Sequence, residues 1–90
     1  MDKAIITVVG KDTVGIIAKV CTYLSEHEVN VLDISQTIVD GFFNMMMVVD
    51  CAGLTVEFSD MVQDLDALGL RIGVRIRCQR EEIFTKMHRI

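Results

Sequence analysis

Polar groups able to hold a small ligand gather in one short stretch, Gly10-Lys11-Asp12-Thr13-Val14-Gly15. It lies between a run rich in β-branched residues and a run of helical period, so it reads as a strand-to-helix loop. The first N–H groups of a helix have no partner within it and favour anions. Here those donors belong to Thr13, Val14 and Gly15 and suit a carboxylate, while the side chain of Asp12 suits an ammonium group. Asn30, further along, offers a donor and an acceptor on one amide. A zwitterion such as an amino acid needs this complementary set. A plainer reading uses the same residues for the fold alone: Asp12 or Thr13 caps the helix, the glycines permit the turn, and Asn30 tolerates the turn after the helix. The stretch is not a phosphate-cradling Walker loop, which needs a longer glycine spacing and a terminal Lys-Ser/Thr.

Other chemistry has little to work with. A nucleophile needs a base and an orienting group beside it, and the only histidines are His27 and His88. His27-Glu28 reads as a solvated helix terminus. Cys21, Cys51 and Cys78 are odd in number and never in a C-x-x-C pair, which suits small core residues in a reducing compartment. No metal-ligand spacing such as H-E-x-x-H is present. The chain is therefore expected to be no enzyme and to need no metal or cofactor.

The elements that must position the loop follow from periodicity. Lys3 to Val9 is apolar on both alternating faces and reads as a central strand. Val14, Ile17, Ala18, Cys21 and Leu24 mark one helical face, with Ile16, Val20 and Tyr23 as a weaker stripe beside it. Val31 to Val39 alternates, with Leu32, Ile34 and Ile38 against Asp33, Ser35 and Thr37, as in an edge strand or one with a wet face. Asp40-Gly41 is a strong hairpin signal, and Phe42 to Asp50 returns as a second strand apolar on both faces. Its three consecutive methionines, Met45 to Met47, suit core filler. Thr55 can cap a helix carrying Phe58, Met61, Val62, Leu65, Leu68 or Gly69, and Ile72, with Gly73 at its C-terminus. Val74 to Gln79 alternates as a last edge strand. The sum is an α+β fold: a ferredoxin-like βαββαβ sandwich with a four-stranded antiparallel sheet, first and third strands central, and two helices on one face. Residues 1–79 form this domain. Residues 80–90 form a C-terminal tail whose Ile83, Phe84, Met87 and Ile90 fall at helical spacing. The tail is expected to dock as a short helix, on the outer sheet face or on a second subunit.

Composition narrows the partners. Ninety residues make one domain, 51% of them hydrophobic, and the mean hydropathy of +0.42 implies apolar surface buried in a homodimer or tetramer. A net charge of −4 argues against nucleic acid. The charge is divided: −8 up to Leu70 and +4 from Arg71 on, which suggests faces of opposite sign. No apolar run reaches the ~18 residues of a membrane span, and the first residues lack a signal-peptide pattern. A cytoplasmic location is expected.

Asp12-Thr13-Val14-Gly15-Ile16-Ile17-Ala18, followed by Leu24-Ser25-Glu26-His27-Glu28-Val29-Asn30-Val31-Leu32-Asp33-Ile34, resembles the ACT domain signature. Residues 3–79 fit the whole domain. The tail, together with Leu32-Asp33-Ile34-Ser35-Gln36-Thr37, resembles short stand-alone bacterial ACT proteins of an uncharacterised family related to the glycine-cleavage regulator and formyltetrahydrofolate deformylase. The resemblance implies an allosteric sensor of amino acids or similar small molecules, paired side by side through helices and edge strands. Its ligand contacts would be Asp12, Thr13, Val14, Gly15 and Asn30, and its signal would pass to a separate protein partner. The sequence departs from many amino-acid-binding members at two positions, with Asp12 where they carry an amide and Val14 where they carry proline. A protein-interaction module with no metabolite ligand is the alternative, and the apolar tail is its main motive.

Overall fold

The structure, a computed structural model, describes residues 2–11 and 14–82. The expected helix over the C-terminal tail falls, from residue 83 on, outside the described residues. Six elements follow in the expected order: β1 (Lys3–Lys11), α1 (Ile16–Glu26), β2 (Asn30–Val39), β3 (Phe42–Asp50), α2 (Phe58–Ile72) and β4 (Val74–Arg80). The strands form one antiparallel sheet in the order β2-β3-β1-β4, with both helices on one face. β1 and β3 are the central pair, the two runs whose sequences are apolar on both faces. Asp40 and Gly41 both have positive φ, 51° and 79°, as a two-residue hairpin turn of the primed type requires. Gly73 ends α2 in the left-handed conformation with φ 80°.

Alternation sorts the side chains. Ala4, Ile6 and Val8 of β1, Phe43, Met45, Met47 and Val49 of β3, and Val74, Ile76 and Cys78 of β4 point at the helices and are buried. Met61, Leu65 and Leu68 of α2 close over them, as its stripe predicts. Met45 and Met47 are core filler, whereas Met46 faces the other way and is 42% exposed. Cys51 and Cys78 are buried and Cys21 is half-buried; all three are free thiols.

Three local expectations are corrected. Helix α1 begins at Ile16, and its N-cap is Gly15 in the left-handed region (φ 89°) with no side-chain cap. Val14 thus lies outside the helix, fully exposed, and the buried stripe is Ile16, Val20 and Leu24, with Ile17 and Cys21 beside it. At the other end, the left-handed turn residue is Glu28 (φ 58°), and Asn30 already belongs to β2. Helix α2 starts from Glu57, not from a Thr55 cap, again without a side-chain cap bond.

The two edges are unlike. β4 is packed under α2, so closely that a Cβ on Gly69 would come within 2.7 Å of the Val74 carbonyl oxygen. β2 is paired to β3 alone, and every one of its ten residues is exposed. Its register jumps between Val31 and Asp33, a β-bulge at Leu32. Downstream of it, Ile34 and Ile38 lie on the helix side of the sheet beyond the reach of cover, 43% and 58% exposed.

Candidate functional site

Asp12 and Thr13 lie outside the described residues; the other three site residues have definite places. Gly15 closes the loop and turns the chain into α1. Its φ is 89°, and a Cβ added there would meet nothing within 4 Å, so it is glycine for its backbone angle, not for lack of room. Lys19 N–H donates to its carbonyl (3.0 Å), the first turn of α1. The root of the loop is fixed as well. A Cβ on Gly10 would meet Cγ1 of Val74 at 2.8 Å and its Cα at 3.0 Å, so β1 and β4 touch just before the loop leaves the sheet.

Asn30 opens β2 opposite Asp50. It edges a depression of about 410 Å³ with Cys21, Ser25, Glu28 and Val31, between the end of α1 and the start of β2. That hollow lies on the helix side of the sheet, at its β2 edge.

The structure does not bring the loop and Asn30 together within one chain. Lys3, at the start of β1, pairs with Asp50, as does Asn30, while Lys11, at the end of β1, pairs with Phe42, as does Val39. β1 and β2 therefore run parallel. The loop after β1 sits at the Val39 end, and Asn30 sits about 27 Å away at the other. The physical reason is the crossover: a β–α–β unit returns the chain to the end where it started. The predicted element order carried that information.

Other candidates have structural partners. The Tyr23 hydroxyl donates to Asp64 Oδ2 at 2.6 Å, linking α1 to α2. Burial, then the carboxylate it bonds, pushes the Tyr23 hydroxyl well above the ordinary tyrosine range. His27 stacks on the Tyr23 ring at 4.1 Å, and its Nδ1 is 2.9 Å from the Tyr23 carbonyl oxygen. Burial raises the Cys51 thiol above its ordinary range and pushes Cys78 up to about 12, so both stay protonated and poorly nucleophilic near neutrality. Arg80 lies 4.3 Å over the Phe58 ring. Arg75 and Arg77 project from the opposite face of β4, so the three arginines of this strand do not share one face. Among the described residues no cluster of three or more His, Cys, Asp or Glu could hold a metal ion. Among them, too, no helix is long and apolar enough to cross a membrane.

The sequence profile described as the ACT domain matches residues 2–79. The chain belongs to the ACT domain family. Its relatives include a UPF0237 protein of Bifidobacterium longum, 76% identical over 90 residues and covering all of both chains. Among solved structures, an ACT domain protein from Streptococcus pneumoniae superposes with a TM-score of 0.81 at 42% identity, over 92% of this chain and 93% of that one. A proposed glycine cleavage system transcriptional repressor shares the fold, with a TM-score of 0.72 at 21% identity over 88% of this chain and 45% of that one. This is thus a short ACT protein of the UPF0237 group, a regulatory and non-catalytic module.

Proposed function

We propose that this ACT module works as a homodimer that binds a small, amino-acid-like effector and passes the bound state to a separate protein partner. The observation that carries the reading is the opposite placement of the loop and Asn30 beside a bare β2 edge. A two-fold axis at that edge runs the two β2 strands antiparallel and joins the sheets. It sets residues 12–15 of one chain next to Asn30 of the partner subunit, twice over. The depression at Asn30 would then be half of a pocket that the second chain completes.

The groups so assembled suit a zwitterion. Backbone N–H groups at Thr13, Val14 and Gly15 receive the carboxylate, Asp12 receives the ammonium group, and the Asn30 amide reads either. Asp12 repels a carboxylate placed beside it, which orients the ligand with its ammonium toward that side chain. The exposed Val14 side chain would be covered by the same pairing.

A thermal-shift screen of the twenty amino acids and common metabolites at millimolar concentration tests this, with sedimentation on the same samples. A true effector at a hundred times its Kd adds about 2.7 kcal/mol and raises Tm. Asn30→Ala should abolish the rise while leaving the unliganded Tm in place. A folded dimer with no hit points to the protein-interaction reading; a hit on a monomer refutes the composite pocket.

A further inference from the structure

The face of the sheet away from the helices has two unlike halves. Toward the Asn30 end, Ile5 is only 6% exposed, Val48 opposite it is half-buried, and the acids Asp33 and Asp50 lie beside them. Toward the Asp40-Gly41 hairpin the same face is open: Phe42 is 51%, Val9 45% and Met46 42% exposed. The pairing orders this open half in rungs. Phe42 of β3 stands beside Lys11 of β1. The next rung runs Thr37, Asn44, Val9, Arg75 and the one below it Ser35, Met46, Thr7, Arg77.

Three kinds of group meet there. Phe42 offers a flat ring on a central strand. Thr7, Ser35, Thr37 and Asn44 offer neutral donors and acceptors, and with Val9 and Met46 they line a hollow of about 210 Å³. That is room for a ring system, well short of a pocket for a whole drug-sized molecule. Lys11, Arg75 and Arg77, all exposed, put positive charge along the β1–β4 flank. No acid occurs in these rungs; Asp40 lies beyond them, in the turn. Strand spacing sets the Cα atoms of Lys11 and Arg75 about 8 Å apart, so both long side chains reach an anion held between them.

A base stacked on an aromatic side chain, its edge read by amide and hydroxyl groups and its phosphate paired with cations, uses all three. An anion without a ring would leave Phe42 idle. The net charge of −4 opposes a long polyanion, whereas a single phosphate meets the local cations. We propose that the hairpin half of the open face binds a nucleotide, with its base on Phe42 against the Asn44 hollow and its phosphate between Lys11 and Arg75. This does not rest on the effector reading, since it uses neither residues 12–15 nor Asn30.

NMR of the full chain, titrated with each of the four ribonucleoside monophosphates at millimolar concentration, tests it. Amide and methyl shifts should gather on Thr7, Val9, Lys11, Thr37, Phe42 and Asn44 and spare Leu24 and Leu65 in the core. Phe42→Ala should weaken binding about tenfold, and Phe42→Trp should keep it. Lys11→Gln with Arg75→Gln should weaken the nucleotide about tenfold and leave the bare nucleoside unaffected. Unshifted core resonances confirm that each variant is folded. A short oligoribonucleotide run in parallel assigns the source: tighter binding at these residues points to a single strand, equal or weaker binding to a free nucleotide, and either sustains the site. Unmoved resonances with every nucleotide would overturn the proposal. So would inorganic phosphate binding as well as the nucleotides do, or an affinity that Phe42→Ala leaves unchanged. Binding that Asn30→Ala abolishes would move the nucleotide to the effector pocket and equally overturn it.

Discussion

The two edges of the sheet solve the same problem in opposite ways. β4 is a guarded edge: Val74, Ile76 and Cys78 are buried beneath α2, and Arg75 and Arg77 on its other face discourage a further strand from adding. β2 is unguarded. No helix covers it, and Ile34, Ile38 and Val39 are 43%, 58% and 60% exposed. Exposed apolar residues beside unpaired backbone groups are what proteins avoid unless the edge is meant to be used. The difference teaches where stability resides and where association does: β4 holds the domain together, and β2 is free to meet another chain.

The largest expected effect separates the edges by one matched substitution. Ile76→Ala on β4 removes a side chain only 3% exposed and should cost about 2–4 kcal/mol. Ile38→Ala on β2 should cost no more than about 0.5 kcal/mol. Denaturant unfolding, at protein concentrations low enough to exclude association, measures both; equal losses would erase the contrast.

Next comes association. Ile34→Lys with Ile38→Lys turns β2 into a guarded edge, and sedimentation should then find monomers with an unaltered fold. If the double variant still pairs as wild type does, the interface lies elsewhere.

The smallest effect is a pH slope shared by Cys78 on β4 and Tyr23 on α1. The Cys78 thiol has an ordinary value of 9.0 and is pushed up to about 12 by burial, with the nearby Cys51 adding to the rise. Because the folded value lies above the unfolded one, its contribution is complete below about pH 9 and is lost as pH climbs toward 12. Tyr23, raised by burial and by Asp64, acts in the same direction above the ordinary tyrosine range. Thermal unfolding across that range should show a fall that Cys78→Ala makes shallower; a slope unchanged by the substitution would assign it to other groups.

Much of this was legible beforehand. The central strands declared themselves because both faces of Lys3–Val9 and Phe42–Asp50 are apolar, and the Asp-Gly pair fixed the hairpin. The buried face of α1 was less legible. Two stripes fit the helical period, and the one that reads as stronger, through Val14 and Ile17, is not the most buried one, which runs through Ile16 and Val20. What chooses between them is the left-handed Gly15, which puts Val14 outside the helix, and periodicity does not see a backbone angle. The distance of Asn30 from the loop follows from topology, not from local pattern. The bareness of β2 was hidden for a related reason: its alternation is the same whether or not a helix lies overhead, and two helices do not span four strands.

The bulge at Leu32 governs which way this edge is wired. Side chains in a strand repeat every two residues, so one extra residue inverts the phase of all that follow. With the bulge, Ile34 and Ile38 share the helix side with Val31 while Asp33, Ser35 and Thr37 take the other. Without it, Val31 paired as it is would place Asp33, Ser35 and Thr37 on the helix side and send both isoleucines across the sheet. Regular pairing through Leu32 would exchange a greasy rail for an acidic, hydroxylated one with no change in composition at all. The register of this strand is therefore as much a part of its specification as the identity of its residues.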